Sequence, residues 1–234
     1  LESKDVNGAE SREKGQSDTS QNADQIQTHP VMKALDDALV KAVNPGARRI
    51  EKLHSKNPNA SRSEIANQLE RDFRQSVTVT GVATGATSAA PGVGTLVGLA
   101  AASGDLVWFF TSASRYILSL ANLYELDVED IERQRALVMT VLLGGSATGI
   151  ATRAAETTGQ HLGKKAVEQI PMHSVRAINK KLGPYFVTKF SQRGVIQLGK
   201  ILPFGFGAAI GGASNYAIAH TTILSARKAF KEFE

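Results

Sequence analysis

From Gln75 to Gly104 the chain carries no charged residue: thirty positions in a row, rich in Gly, Ala, Ser, Thr and Val. Such a run constrains the fold severely. Its backbone groups must be satisfied, and its side chains offer little apolar bulk, so it must pack closely or leave water. Thirty residues exceed the ~20 that cross a ~30 Å hydrocarbon core as a helix. Pro91-Gly92 splits the run into two arms of roughly half that length, each short for a full crossing. Both arms favour Thr, Ser and Gly over Leu, so a re-entrant or interfacial helical hairpin is expected ahead of two clean spans. The competing expectation is a tightly packed soluble helical core.

A second uncharged stretch runs from Ile201 to Ala226 if His220 is neutral. Four glycine pairs fall at i, i+4: Gly81/Gly85, Gly94/Gly98, Gly145/Gly149 and Gly207/Gly211. On a helix each pair shares a face and lets another backbone approach. Two ionisable residues, Asp105 and Arg115, punctuate the apolar zone. Ten residues apart on one helix they lie nearly three turns from each other. Each therefore pairs with another helix, lines a polar cavity or marks the water boundary.

Between the uncharged stretches, residues 159–200 hold Lys164, Lys165, Arg176, Lys180, Lys181, Lys189, Arg193 and Lys200 against Glu168 alone. That local excess outweighs the net charge of +5 for all 234 residues. Two readings stand side by side. The segment contacts anionic lipid headgroups, each cation contributing about 1 kcal/mol near the surface, or it is a solvated basic face. Tyr185, Phe186 and Phe190 are interleaved, but no nucleic-acid motif accompanies them, so nucleic acid is not the expected partner.

The remaining residues read as helices. Hydrophobic residues make up 42%, enough for a core. Residues 1–28 hold nine charged residues and no aromatic, and read as a disordered tail. The chain begins at Leu1, which leaves open an upstream segment such as a signal peptide. An all-α domain of about eight helices is expected over 29–234. Pro30 suits a first helical position, and Val31, Leu35, Leu39 and Val43 repeat at helical spacing. Asn44-Pro45-Gly46 is expected to end that helix, with a short basic one over 47–56. Asn57-Pro58-Asn59 breaks again, and Ser61 with Glu64 spells a capping box. A further helix is expected with Asp127 as N-cap. Val77-Thr78-Val79-Thr80 alternates as a strand would, but its Gly/Ala-rich surroundings argue against a sheet.

Catalytic signals are weak. The absence of cysteine removes disulfides and thiolate chemistry. Gly194 to Lys200 matches G-x-x-x-x-G-K, but Ile201 stands where a phosphate loop needs a hydroxyl, and the intervening positions are aliphatic. The five histidines are scattered without metal-ligand spacing. The acidic residues from Glu125 to Glu132 suit a helix start and lack a calcium loop's glycine and terminal glutamate. No cofactor, metal or enzymatic activity is expected.

One resemblance draws these features together. Ile170-Pro171, Ile178 to Gly183, Thr188-Lys189-Phe190, Gly194-Val195-Ile196 and Leu198 to Pro203 form its most specific stretch. Gly211-Gly212 and Ala226 to Phe230 continue it, and Gly81, Gly85, Gly104-Asp105-Leu106, Arg115, Leu123-Tyr124 and Asp127 precede it. On these residues the chain, from about Ala34 to Phe230, resembles the EcsC protein family. That family is similar to a hydrophobic protein encoded beside a bacterial ABC transporter, and its biochemical role is not established, so no catalytic residue carries over. Where relatives often place an acid after the Gly-Gly pair, this chain has Asn215. The resemblance implies a bacterial membrane-associated accessory or scaffold protein linked to an ABC exporter, expected on the cytoplasmic side of the membrane or in the cytoplasm with peripheral membrane binding. The alternative is a soluble helical module that binds a lipid or other apolar ligand. An anionic membrane surface or a membrane protein is the expected partner; the sequence leaves the oligomeric state open.

Overall fold

The computed structural model describes residues 25–87, 95–126, 128–144, 170–191 and 207–231; the side chains of 43–47, 79–87, 95–105 and 207–215 fall outside that description. The chain is all-α. The main helices are α1 (Pro30–Lys56), α2 (Arg62–Thr87), α3 (Thr95–Leu123), α4 (Ile131–Leu143), α5 (Met172–Phe190) and α6 (Gly207–Phe230). No strand occurs among the described residues, and Val77 to Thr80 lie within α2.

The helix starts follow local chemistry. His29 caps α1 by accepting the Val31 N–H at its Nδ1 (3.2 Å), and Pro30 occupies the first turn, where its missing N–H costs nothing. Ser61 and Glu64 form the expected capping box: Ser61 N–H donates to Glu64 Oε2 at 2.8 Å, and Glu64 N–H donates to Ser61 Oγ at 3.3 Å. The Ser61 N–H bond, with a second from the Ser61 hydroxyl to Glu64 Oε2 at 2.8 Å, holds the Glu64 carboxyl below its usual pKa. The next cap is Asp130, which accepts from Glu132 N–H at 2.7 Å, so this helix starts three residues later than expected; Asp127 itself lies outside the described residues.

Two expected boundaries are corrected. α1 runs unbroken from Pro30 to Lys56 through Asn44-Pro45-Gly46. An interior proline costs about 3 kcal/mol, and packing on both sides overrides it. Leu35, Leu39 and Ala42 are buried before the break, and Ile50 and Leu53 pack on the core after it. Order also begins before His29: residues 25–28 form a helical turn, and Ile26 rests on the core against Gly183.

α3 is the central element, packing against α1, α2, α4 and α6. From Phe110 to Tyr124 almost every residue is buried, with Arg115 and Asn122 left outside. A helix apolar on nearly all sides belongs inside a bundle. The α1–α3 contact is the most extensive among the described helices. Small buried residues permit it: Ala34, Ala38 and Ala42 recur every four positions on α1, and α3 supplies Ala113, Ser114 and Ala121. Beside them Phe110, Phe186 and Phe190 form an aromatic cluster, with centroids 4.7–5.2 Å apart. Each fully buried phenylalanine contributes about 1.5–3 kcal/mol through burial.

The C-terminus of α3 is closed by a Schellman motif. Leu126 N–H bonds Ala121 C=O at 2.9 Å and Glu125 N–H bonds Asn122 C=O at 3.1 Å. Glu125, at φ 59°, occupies the left-handed position where glycine is usual.

α4 and α5 run parallel. Near the start of α4, Asn179 Nδ2 donates to Glu132 C=O (3.0 Å) and to its Oε2 (2.6 Å); near its end, Lys189 Nζ donates to Leu142 C=O at 2.7 Å. Arg135 ties this pair to α1, bonding Asp36 Oδ1 (2.8 Å) and Glu132 Oε1 (2.7 Å). Burial raises the Asp36 pKa despite the opposing pull of Arg135.

Candidate functional site

Three helices share one direction problem, and its solution places the uncharged sequence. Arg62 bonds Glu125 at 2.6 Å, and eleven residues up α2 the Phe73 ring stacks on Tyr116 at 4.9 Å. Hence α2 and α3 are antiparallel. On an adjoining face of α2, Glu70 holds Arg227, and further along Arg74 sits 6.0 Å over the ring of Tyr216. Hence α6 is antiparallel to α2 as well. The C-terminal half of α2 and the N-terminal halves of α3 and α6 therefore lie at the same end of the bundle.

That end is where the charges stop. Beyond Arg74 on α2, before Asp105 on α3 and before Arg227 on α6, no residue of these helices carries a formal charge. At 1.5 Å per residue, α2 continues about 20 Å beyond Arg74, and α3 begins about 32 Å beyond Tyr116. α6 begins about 14 Å beyond Tyr216.

Below the uncharged ends sits a fringe of cations and aromatics. Arg71 and Arg115 are exposed and Arg74 is half-buried, while Trp108 and Tyr216 remain 44% and 47% exposed. Arg71, Arg74, Gln75, Thr78 and Tyr216 line a surface groove of about 360 Å³. The Tyr116 hydroxyl is buried with no hydrogen-bond partner among the described residues. Burial pushes its pKa well above the usual phenol value, and the Glu70 carboxylate adds to the effect.

The sequence-derived candidates distribute unevenly over this geometry. Gly81 and Gly85 lie on the last turns of α2, Gly98 near the start of α3, and Gly207 and Gly211 on the first turns of α6. All five belong to the uncharged end. Gly94, Gly145 and Gly149 lie outside the described residues. Asp105 and Arg115 occupy the same helix about 15 Å apart along its axis, too far for a direct pair.

Of the eight basic candidates, Lys164, Lys165, Arg193 and Lys200 lie outside the described residues. Arg176, Lys180 and Lys181 are exposed on α5. Lys189 must be corrected: it is half-buried, donates to Leu142 C=O at the end of α4, and has its pKa lowered by desolvation. Its amine closes a helix terminus, where a cation suits the dipole, and is not presented to a lipid surface. None of the four described ones, Arg176, Lys180, Lys181 and Lys189, lines the groove.

Arg71, Arg74, Trp108 and Tyr216 escaped the sequence reading. The signal was available: Arg71 and Arg74 are the last cations on α2 before the charge-free run, and Trp108 is the chain's lone tryptophan, just past its other end. Among the described residues no three metal-ligating side chains cluster, and no helix is long and apolar enough to cross a membrane. No family model, no curated protein and no solved structure matches the chain.

Proposed function

We propose that this chain is a membrane-associated accessory or scaffold protein, held at a bilayer interface by the uncharged ends of α2, α3 and α6. The carrying observation is the antiparallel packing that gathers three charge-free helix ends at one end of the bundle. The fringe beneath them supports the reading. Amphipathic Trp and Tyr rings favour the headgroup level, and arginines there meet lipid phosphates.

Lengths favour shallow seating. The uncharged part of α2 covers about 20 Å and that of α3 about 15 Å, against a ~30 Å hydrocarbon core. The pair therefore acts as an interfacial helical hairpin with α6 beside it. The EcsC resemblance adds the cytoplasmic face of a bacterial membrane and an ABC exporter as the setting, with a structural rather than catalytic role.

Flotation with liposomes tests the proposal. The full chain is expected to rise with phosphatidylcholine vesicles containing phosphatidylglycerol, and Trp108 fluorescence to shift to the blue on binding. Salt should weaken the headgroup contribution and leave the apolar one. A chain that stays wholly at the bottom at low salt overturns the proposal. Co-purified lipid in such a chain would favour the soluble lipid-binding module.

A further inference from the structure

We infer that the Arg71–Arg74–Tyr216 groove is a binding site for a phosphate-bearing anion, supplied by the headgroup of an anionic phospholipid. The phospholipid source rests on the membrane reading above; the anion chemistry rests on the groove itself.

The chemistry follows from how the acids of α2 are used. Both oxygens of Glu70 accept from Arg227, at 2.7 and 2.6 Å. Asp72 Oδ2 pairs with Arg49, and its Oδ1 accepts from Gln68 Nε2 at 2.9 Å. Glu64 is engaged in its own capping box. The carboxylates nearest the groove in sequence are thus each engaged elsewhere. Arg71 bonds only a neutral group, Gln68 Oε1 at 2.7 Å, and no carboxylate pairs with Arg71 or Arg74 among the described residues.

Arg74 sharpens the case. Its Nε is shielded from solvent and has no acceptor among the described residues. The Nε is closed to solvent, so an anion in the groove would meet the terminal nitrogens of the guanidinium, for which a phosphate oxygen is a well-matched acceptor. Tyr216 stands at the same groove with its ring beneath the Arg74 guanidinium at 6.0 Å, which restrains that fork. Gln75 and Thr78 also line the groove, whose surface between the two arginines is mostly carbon. Arg71 and Arg74 are the last charged residues on α2 before its uncharged end.

The test titrates the full chain with dihexanoylphosphatidylglycerol, kept monomeric below its micelle concentration, and separately with inorganic phosphate. The readout is the arginine Nε–Hε resonances, with the Kd from calorimetry. Saturable shifts of the Arg74 signal by the lipid, with weaker shifts by phosphate, are the expected result. R74Q should weaken lipid binding by about ten-fold or more. R74K, which keeps the charge and loses the fork, should recover only part of it.

Equal binding of phosphate and lipid overturns the lipid assignment and leaves a free-phosphate site. No shift with either ligand, or unchanged affinity in a folded R74Q, overturns the site. Flotation on phosphatidylcholine vesicles reads the uncharged ends separately. A chain that floats without binding the short-chain lipid refutes this inference alone. A chain that binds the short-chain lipid saturably but never floats refutes the membrane reading alone.

Discussion

Replacing Arg227 by methionine isolates the clasp between α6 and α2. The Glu70 carboxylate it holds is 8% exposed, whereas the Arg227 side chain is 54% exposed. Removing the guanidinium leaves two oxygens without their charge-assisted bonds of 2.7 and 2.6 Å. Stranding one member of a fully buried pair costs about 3–5 kcal/mol. Water reaches this pair from the Arg227 side, so the expected loss is smaller, about 2–3 kcal/mol. For a chain of this size that lowers Tm by roughly 5–10 °C. The double variant E70Q/R227M removes the stranded charge and should return to within about 1 kcal/mol of the parent. Urea denaturation of the four proteins in the cycle measures the coupling, expected at about 1.5 kcal/mol or more. If R227M unfolds within about 0.5 kcal/mol of the parent and the double variant shows no recovery, the clasp does not hold α6 and the reasoning fails.

Three further substitutions probe single features. Gly144→Ala should cost about 1–2 kcal/mol by urea denaturation, because φ is 73° there and an added Cβ would sit 3.1 Å from Ser225 Oγ. Glu125→Gly should raise stability by about 0.5 kcal/mol: it relieves a left-handed φ of 59° and gives up a pair with Arg62 whose partners are 54% and 77% exposed. Lys189→Met should change the pH profile of Tm. With its folded pKa depressed below 10.5, Lys189 is more readily deprotonated in the fold than in the unfolded chain, so raising pH through the window just below 10.5 should stabilise the parent relative to the variant; parallel profiles would count against the desolvated amine.

Much of the helical framework was legible because local chemistry and packing agree there. Ser61 with Glu64, His29-Pro30 and Asn57-Pro58 mark helix ends in sequence and in space alike. Asn44-Pro45-Gly46 misled, since its local signal is a stop and the cause of continuity is burial of Leu39 and Leu53 against partners distant in sequence. The glycine pairs drew attention to close helix packing, yet in the described core the small buried residues on α1 are Ala34, Ala38 and Ala42. Alanine is common in every helix and so gives no sequence signal. The groove was illegible for a different reason. Arg71 and Arg74 look like ordinary surface cations until Glu70 and Asp72 are seen to pair with Arg227 and Arg49, which are far along the chain.

The uninterrupted course of α3 has a mechanical consequence. Its 29 residues make a rod of about 43 Å, with the Thr95 end among the uncharged helix ends and Phe110 packed on Phe186 and Phe190 in the core. A straight helix transmits tilt as a lever does. Force applied at the Thr95 end, by a bilayer or by a partner protein, is felt at the aromatic cluster without any intervening joint.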